Sequence, residues 1–185
     1  MSFRVVGLKE LERGFTKMAA ATARGEARAV NRVSTSIIAA QARAVTSLVN
    51  LNVSRVKAGV RLAQKATPNA PRIVLEVQRR PVGLIEFAGR WAGRKSAGAT
   101  AAVWKGQGRS TFEGTFIATG RGGNRQIFER KRGARLPIKA FYGPSVYSMF
   151  LRDDIQKVGA DTWALRLPIE LDRETQFALK QAGLA

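Results

Sequence analysis

The sequence contains no cysteine and no histidine. Without thiols there are no disulfides and no thiolate nucleophile, and without imidazole the commonest general base and metal ligand is gone as well. Acidic residues are scarce too, 13 Asp+Glu against 32 Lys+Arg. Asp153 and Asp154 are adjacent, so on a helix they point to different sides, and no other acid stands at a spacing that would complete a catalytic or metal site. The expectation is a protein that is not an enzyme and needs no cofactor. Long apolar runs are also missing. No window approaches the roughly eighteen apolar residues of a membrane span, and the opening MSFRVVGLKELERGF has no uninterrupted apolar core of signal-peptide length. The expected setting is a reducing cytoplasm, with no membrane contact.

What the sequence does have is positive charge. The formal net charge is +19 with an apolar fraction of 45%, which describes a globular protein far more basic than solubility requires. A polyanion or an acidic protein partner is implied. The charge is uneven: +9 over residues 1–71, +11 over 72–143 and −1 over 144–185. A chain of 185 residues suits one domain with a helical extension. We divide it into an N-terminal helical region, 1–71, and a sheet-containing region with C-terminal helices, 72–185, together forming one structural unit.

Leu8, Leu11, Phe15 and Met18 step by three and four, and Val30, Val33, Ile37, Ala40, Ala44 and Leu48 repeat that rhythm. The Ala-rich stretch between them predicts one long amphipathic helix, or two nearly continuous ones with Gly25 as the weak point, and Arg24, Arg28, Arg32 and Arg43 on the outer face. A shorter helix over Val53 to Gln64 is predicted to follow, capped by Asn52 or Ser54, before Pro68 and Pro71 end it. Then the period changes. RIVLEVQ alternates, and VGLIEFAGRW, ATAAVWKG, GTFIATG, RQIFERK and LPIKAFY follow as short runs rich in aromatic or branched residues. The resulting fold class is α+β: N-terminal long amphipathic helices, a central antiparallel sheet of four to five strands, and C-terminal helices. Pro144 is read as the first turn of a helix carrying Val146, Met149, Phe150 and Ile155 on one face, and a last helix is predicted from near Pro168 with Ile169, Phe177 and Leu179 apolar.

GRGGNR lacks the Gly-Lys-Ser/Thr ending of a phosphate loop and reads as a mobile hairpin loop, as does RWAGRKSAGA. The basic residues between Arg79 and Arg135 fall at strand ends and in loops, where long side chains reach phosphates without reading bases. Among them Arg94, Lys95, Arg121 and Arg125 are the candidates to face DNA. Trp91, Trp104, Phe112 and Phe116 can stack on bases or serve as sheet core or subunit contacts.

The ordered series Phe116-Ile117-Ala118, Ile127-Phe128 with Arg130, Pro137-Ile138, and Tyr142-Gly143-Pro144-Ser145-Val146 with Met149 and Phe150 resembles the prophage minor tail protein Z family of long-tailed bacteriophages. The resemblance implies a virion component, made in the bacterial host cytoplasm, that completes the head-proximal end of the tail and helps it join the DNA-filled head. It implies a homo-oligomeric ring, hexameric by family analogy, contacts with other tail and neck proteins, and proximity to double-stranded DNA without sequence preference. It implies no catalysis, and it makes those residues a structural signature. The reading that competes with it is a free protein coating nucleic acid nonspecifically.

Overall fold

Residues 8–93, 98–120, 122–130 and 136–183 are described by a computed structural model. Helix α1, Leu8–Leu48, runs 41 residues without a break, about 60 Å at 1.5 Å per residue. Gly25 does not interrupt it. Helix α2 is short, Val53–Ala58, with Asn52 at its N-cap and Gly59 at its C-cap. The predicted continuation to Gln64 is instead strand β1, Val60–Gln64, along which half-buried and exposed residues alternate. Strand β2, Val74–Val77, pairs with β1 and keeps the expected alternation, Leu75 and Val77 turned inward.

Beyond β2 the fold is α+β as expected, but its strands form several small antiparallel sheets in place of one. Strand β3, Pro81–Gly83, pairs with β10, Tyr142–Ser145. Strands β4 (Arg90–Trp91), β5 (Gly98–Ala101) and β6 (Ser110–Glu113) form a second group. Strands β7 (Thr115–Thr119), β8 (Arg125–Arg130) and β9 (Ile138–Ala140) form a third. The backbone explains the division. VGLIEFAGRW is broken by a 3-10 turn at Leu84–Glu86 and by Ala88 at φ +52, and Gly114 at φ +68 separates β6 from β7. Each break turns the chain out of the ladder it was following.

Two further corrections fall near the C-terminal side. Pro144 lies within β10, and helix α3 begins only at Val146, spanning Val146–Phe150, with Ser145 as its N-cap. Helix α4, Asp153–Gln181, carries Pro168 in its interior and does not start there. Gly183, at φ +69, lies just past its end.

The chain divides into two compact units. One comprises the described residues of Met1–Ile38, Leu62–Glu76 and Gly159–Ala185. In it α1 meets α4 along small residues: Ala21 and Ala29 are fully buried, and a Cβ placed on Gly25 would sit 2.8 Å from Thr175 Cα. Ala27, Val30 and Ala66 pack with Ile73, Trp163 and Leu167. The Asn31 side chain holds Ala66 from both sides, donating to its carbonyl and accepting from its N–H, each at 2.9 Å. Two arginines expected to point away from the apolar stripe reach α4 instead: Arg32 Nε lies 2.5 Å from Glu174 Oε1, and the Arg28 guanidinium sits 5.5 Å over the Phe177 ring. The predicted apolar faces are misplaced at both ends. Phe15, Met18, Ile169 and Phe177 are exposed, while the carboxylate-bearing Glu174 is buried.

The other unit comprises Ala39–Arg61 and Val77–Val158. Its core gathers Val45 of α1, Val49 just past its end, Val56 of α2, Val82, Phe87, Ile127, and Val146, Met149, Phe150 and Ile155. The end of α1 is stitched to the segment after β5, where Asn50 N donates to Val103 O at 3.0 Å and Asn50 Nδ2 to Ala102 O at 2.9 Å. Gln41 Nε2, buried, donates to Ile155 O at 3.2 Å.

Candidate functional site

A cleft of about 900 Å³ opens in this second unit. One wall is the segment Gln78–Gly83. Its position is fixed at two points: Gln78 N donates to Gly59 O at 2.8 Å, and Tyr147 N donates to Gln78 O at 3.3 Å. Pro81 is suited to open β3, because a strand with a single ladder partner tolerates a residue without an N–H. The facing wall is the β7–β8 hairpin, with Gly120, Gly122, Gly123 and Asn124 between its strands. There Gly120 N donates to Asn124 O at 3.0 Å, Gly123 N donates to Gly120 O at 2.9 Å, and Gly123 takes φ +78. Gln126 ties the walls together. Its Oε1 accepts from Ile127 N at 3.1 Å and Ile85 N at 3.4 Å, and its amide lies so close over Gly83 that a side chain there would strike it.

Among the described residues four arginines line the cleft, Arg55, Arg79, Arg80 and Arg125. Two are engaged: Arg55 Nε lies 2.5 Å from Glu86 Oε2, and the Arg79 guanidinium lies 4.8 Å over the Tyr147 ring. Arg80 and Arg125 are exposed and have no carboxylate partner among the described residues. Ile85 and Phe128, partly exposed, complete the surface with apolar groups beside a half-exposed Tyr142, over the buried Val82 and Val146. The arrangement suits binding. It offers guanidinium forks for carboxylate or phosphate and a patch of apolar floor.

Of the residues singled out to face DNA, only Arg125 is placed, on the rim of this cleft at the start of β8. Arg94, Lys95 and Arg121 lie outside the described residues. The signature residues fall into three sets. Phe116 and Phe128 face one another across β7 and β8 with ring centroids 6.0 Å apart, and the Arg130 guanidinium sits 5.2 Å over Phe116. Pro137, Ile138 and Tyr142 are exposed. Gly143, Pro144 and Ser145 lead into α3, whose Val146, Met149 and Phe150 are buried. Ser145 Oγ accepts from Ser148 N at 3.1 Å. Gly143 does not have a positive φ; it is constrained by the Phe87 ring, which a Cβ at that position would strike. Of the four candidate stacking aromatics, Trp104 and Phe112 pack on the core, Phe112 against Phe141 at 5.8 Å, and Phe116 is covered by Arg130. Trp91 remains exposed.

Sequence reasoning missed Arg55, Glu86 and Gln126 as parts of one site. Arg79-Arg80-Pro81 was the available signal for the wall, a basic pair held at a strand start. Away from the cleft, Asp154 forms a two-bond ion pair with Arg152, at 3.0 Å for each bond. The hydrogen bond from Arg152 holds the Asp154 carboxyl below the usual carboxylate range, and Asp154 in turn raises Arg152. Among the described residues no cluster of three or more acidic side chains gathers to hold a metal ion. No described helix is long and apolar enough to cross a membrane.

The family model for prophage minor tail protein Z matches residues 5–182. No curated protein and no solved structure matches the chain.

Proposed function

The chain belongs to the prophage minor tail protein Z family and is a structural component of a phage tail, and from that premise we propose that it completes the head-proximal end of the tail and supports joining to the head. Copies associate through helix and sheet-edge surfaces into a closed ring around the DNA path, six by analogy with the family, in contact with other tail and neck proteins. The basic segments bearing Arg94, Lys95 and Arg121, with Arg125 at the start of β8, face that path. The role is one of assembly and involves no catalysis. One observation carries the reading: positive charge accumulates to +20 over residues 1–143, far more than the acidic residues of the chain neutralise, and a polyanion passing nearby offsets such a surface.

The test replaces Arg94, Lys95 and Arg121 with Gln, leaving Arg125 in place because it also lines the cleft of the second unit, and counts the protein in purified tails by mass spectrometry. Normal incorporation with heads and tails left unjoined is the expected result. A well-folded variant that never enters the tail overturns the DNA-facing role, because the residues would then be meeting a protein neighbour.

A further inference from the structure

The cleft of the second unit carries an inference of its own, because its chemistry differs from that of a surface built for a DNA backbone. A duplex presents one negative charge for about every 1.7 Å of its axis and cannot choose where those charges fall. The cleft is not uniformly positive: Glu86 stands in its wall beside Arg55, and Ile85, Phe128 and the half-exposed Tyr142 offer apolar surface that phosphates do not use. Its volume, about 900 Å³, falls in the range of clefts that take small ligands or short segments. A peptide can meet all of these features at once. It can set carboxylates against Arg80 and Arg125, lay apolar side chains on the floor, and leave a neutral residue opposite Glu86.

We propose that this cleft is a docking site for an acidic segment of a neighbouring protein in the assembled tail, one that alternates carboxylate and apolar side chains. Arg80 and Arg125 are the anchors, chosen because they alone of the four arginines have neither an ion pair nor an aromatic ring engaged among the described residues. Arg55 is held in reserve by Glu86. When the segment is bound, Arg125 is withdrawn from DNA, and the remaining basic loops serve the path. That the neighbour belongs to the tail rests on the proposed assembly role; the binding chemistry does not.

The experiment uses the full chain, a fluorescent twelve-residue peptide alternating Asp and Leu, its Asn-for-Asp counterpart, and a labelled duplex DNA. The expected result is that the acidic peptide binds, the Asn counterpart binds at least ten-fold more weakly, and Arg80→Gln with Arg125→Gln weakens the acidic peptide at least ten-fold. Arg43→Gln with Arg72→Gln, neither of which lines the cleft, should change it less than two-fold. Glu86→Gln, which frees Arg55, should tighten peptide binding at least three-fold, a direction that misfolding cannot mimic. The proposal is overturned if the two double variants weaken the peptide equally, if the Asn counterpart binds as well, or if duplex DNA displaces the peptide and loses its own affinity in parallel at Arg80 and Arg125. That last outcome would make the cleft part of the DNA surface. Failure of the peptide arm leaves the head-joining assay untouched, so the two readings fail separately.

Discussion

At Gly143 any side chain would be driven into the Phe87 ring, which is itself fully buried. Gly143→Val should therefore lower stability by about 1–3 kcal/mol through overpacking, read as a drop in melting temperature. Pro144→Ala, half-buried and outside α3, should do less. The comparison separates shape from backbone angle, because Gly143→Ala, which asks nothing unusual of φ, should also destabilise. Ser145→Ala removes the hydroxyl that caps α3 and should cost about 1 kcal/mol, with Thr in the same place restoring most of it. Asp154 gives a pH test. Its carboxyl is depressed by the Arg152 hydrogen bond, so its contribution to stability is present above the unfolded-state value and is lost as pH falls through the folded one. Both side chains are about half exposed to solvent, so the effect belongs to a carboxyl titration followed by NMR: Arg152→Gln should move the Asp154 midpoint upward.

The helices of the first unit depend on close approach. Gly25 on α1 leaves room only for the backbone of Thr175, and Gly25→Leu should force the two helices apart, seen as faster amide exchange over 159–181. Glu174 is buried while Arg32 is half exposed, so Arg32→Gln leaves a carboxylate without its partner and should cost about 1–2 kcal/mol once solvent screening is allowed for. Adding Glu174→Gln should recover part of that loss, which a double-mutant cycle would measure. Elements of this kind were legible in the sequence where one periodicity dominated. Leu75 and Val77 alternate, and β2 forms there; Val30, Val33 and Ile37 keep helical spacing and are buried. The reading erred where two signals coincided. Val56 and Val60 fit a helical face, yet Gly59 closes α2 and the branched Val60 opens a strand. Pro168 looked like a helix start because it removes a backbone donor. Trp163 and Leu167, packed on the core just before it, and Glu174 and Ala178, buried after it, hold α4 together through it. The cleft was not legible at all, because Arg55, Arg80, Glu86 and Arg125 are brought together only by the folded backbone.

For the whole molecule, the decisive prediction is self-association. Native mass spectrometry of the protein with its tail partners should show a closed oligomer formed without nucleic acid, whereas a protein that merely coats nucleic acid would assemble only on it. Finding monomer alone under those conditions would count against the ring. Duplex binding by the free protein should fall steeply between about 50 and 200 mM salt and depend little on sequence, as counterion release requires. The division into two units has a further consequence, in the order of synthesis. The second unit draws only on Ala39–Arg61 and Val77–Val158, but the first needs α1 together with residues from Gly159 onward. During translation, then, the second unit has all of its parts while α1 still waits for its partner in α4. The small-residue face of Ala21, Gly25 and Ala29 is uncovered throughout that interval, a few seconds at about 5–20 residues per second, and is open to a chaperone or to the wrong helix. A stop codon near position 159 would leave that face bare for good, so truncated chains should be cleared by proteolysis even though the residues of the cleft have all been made.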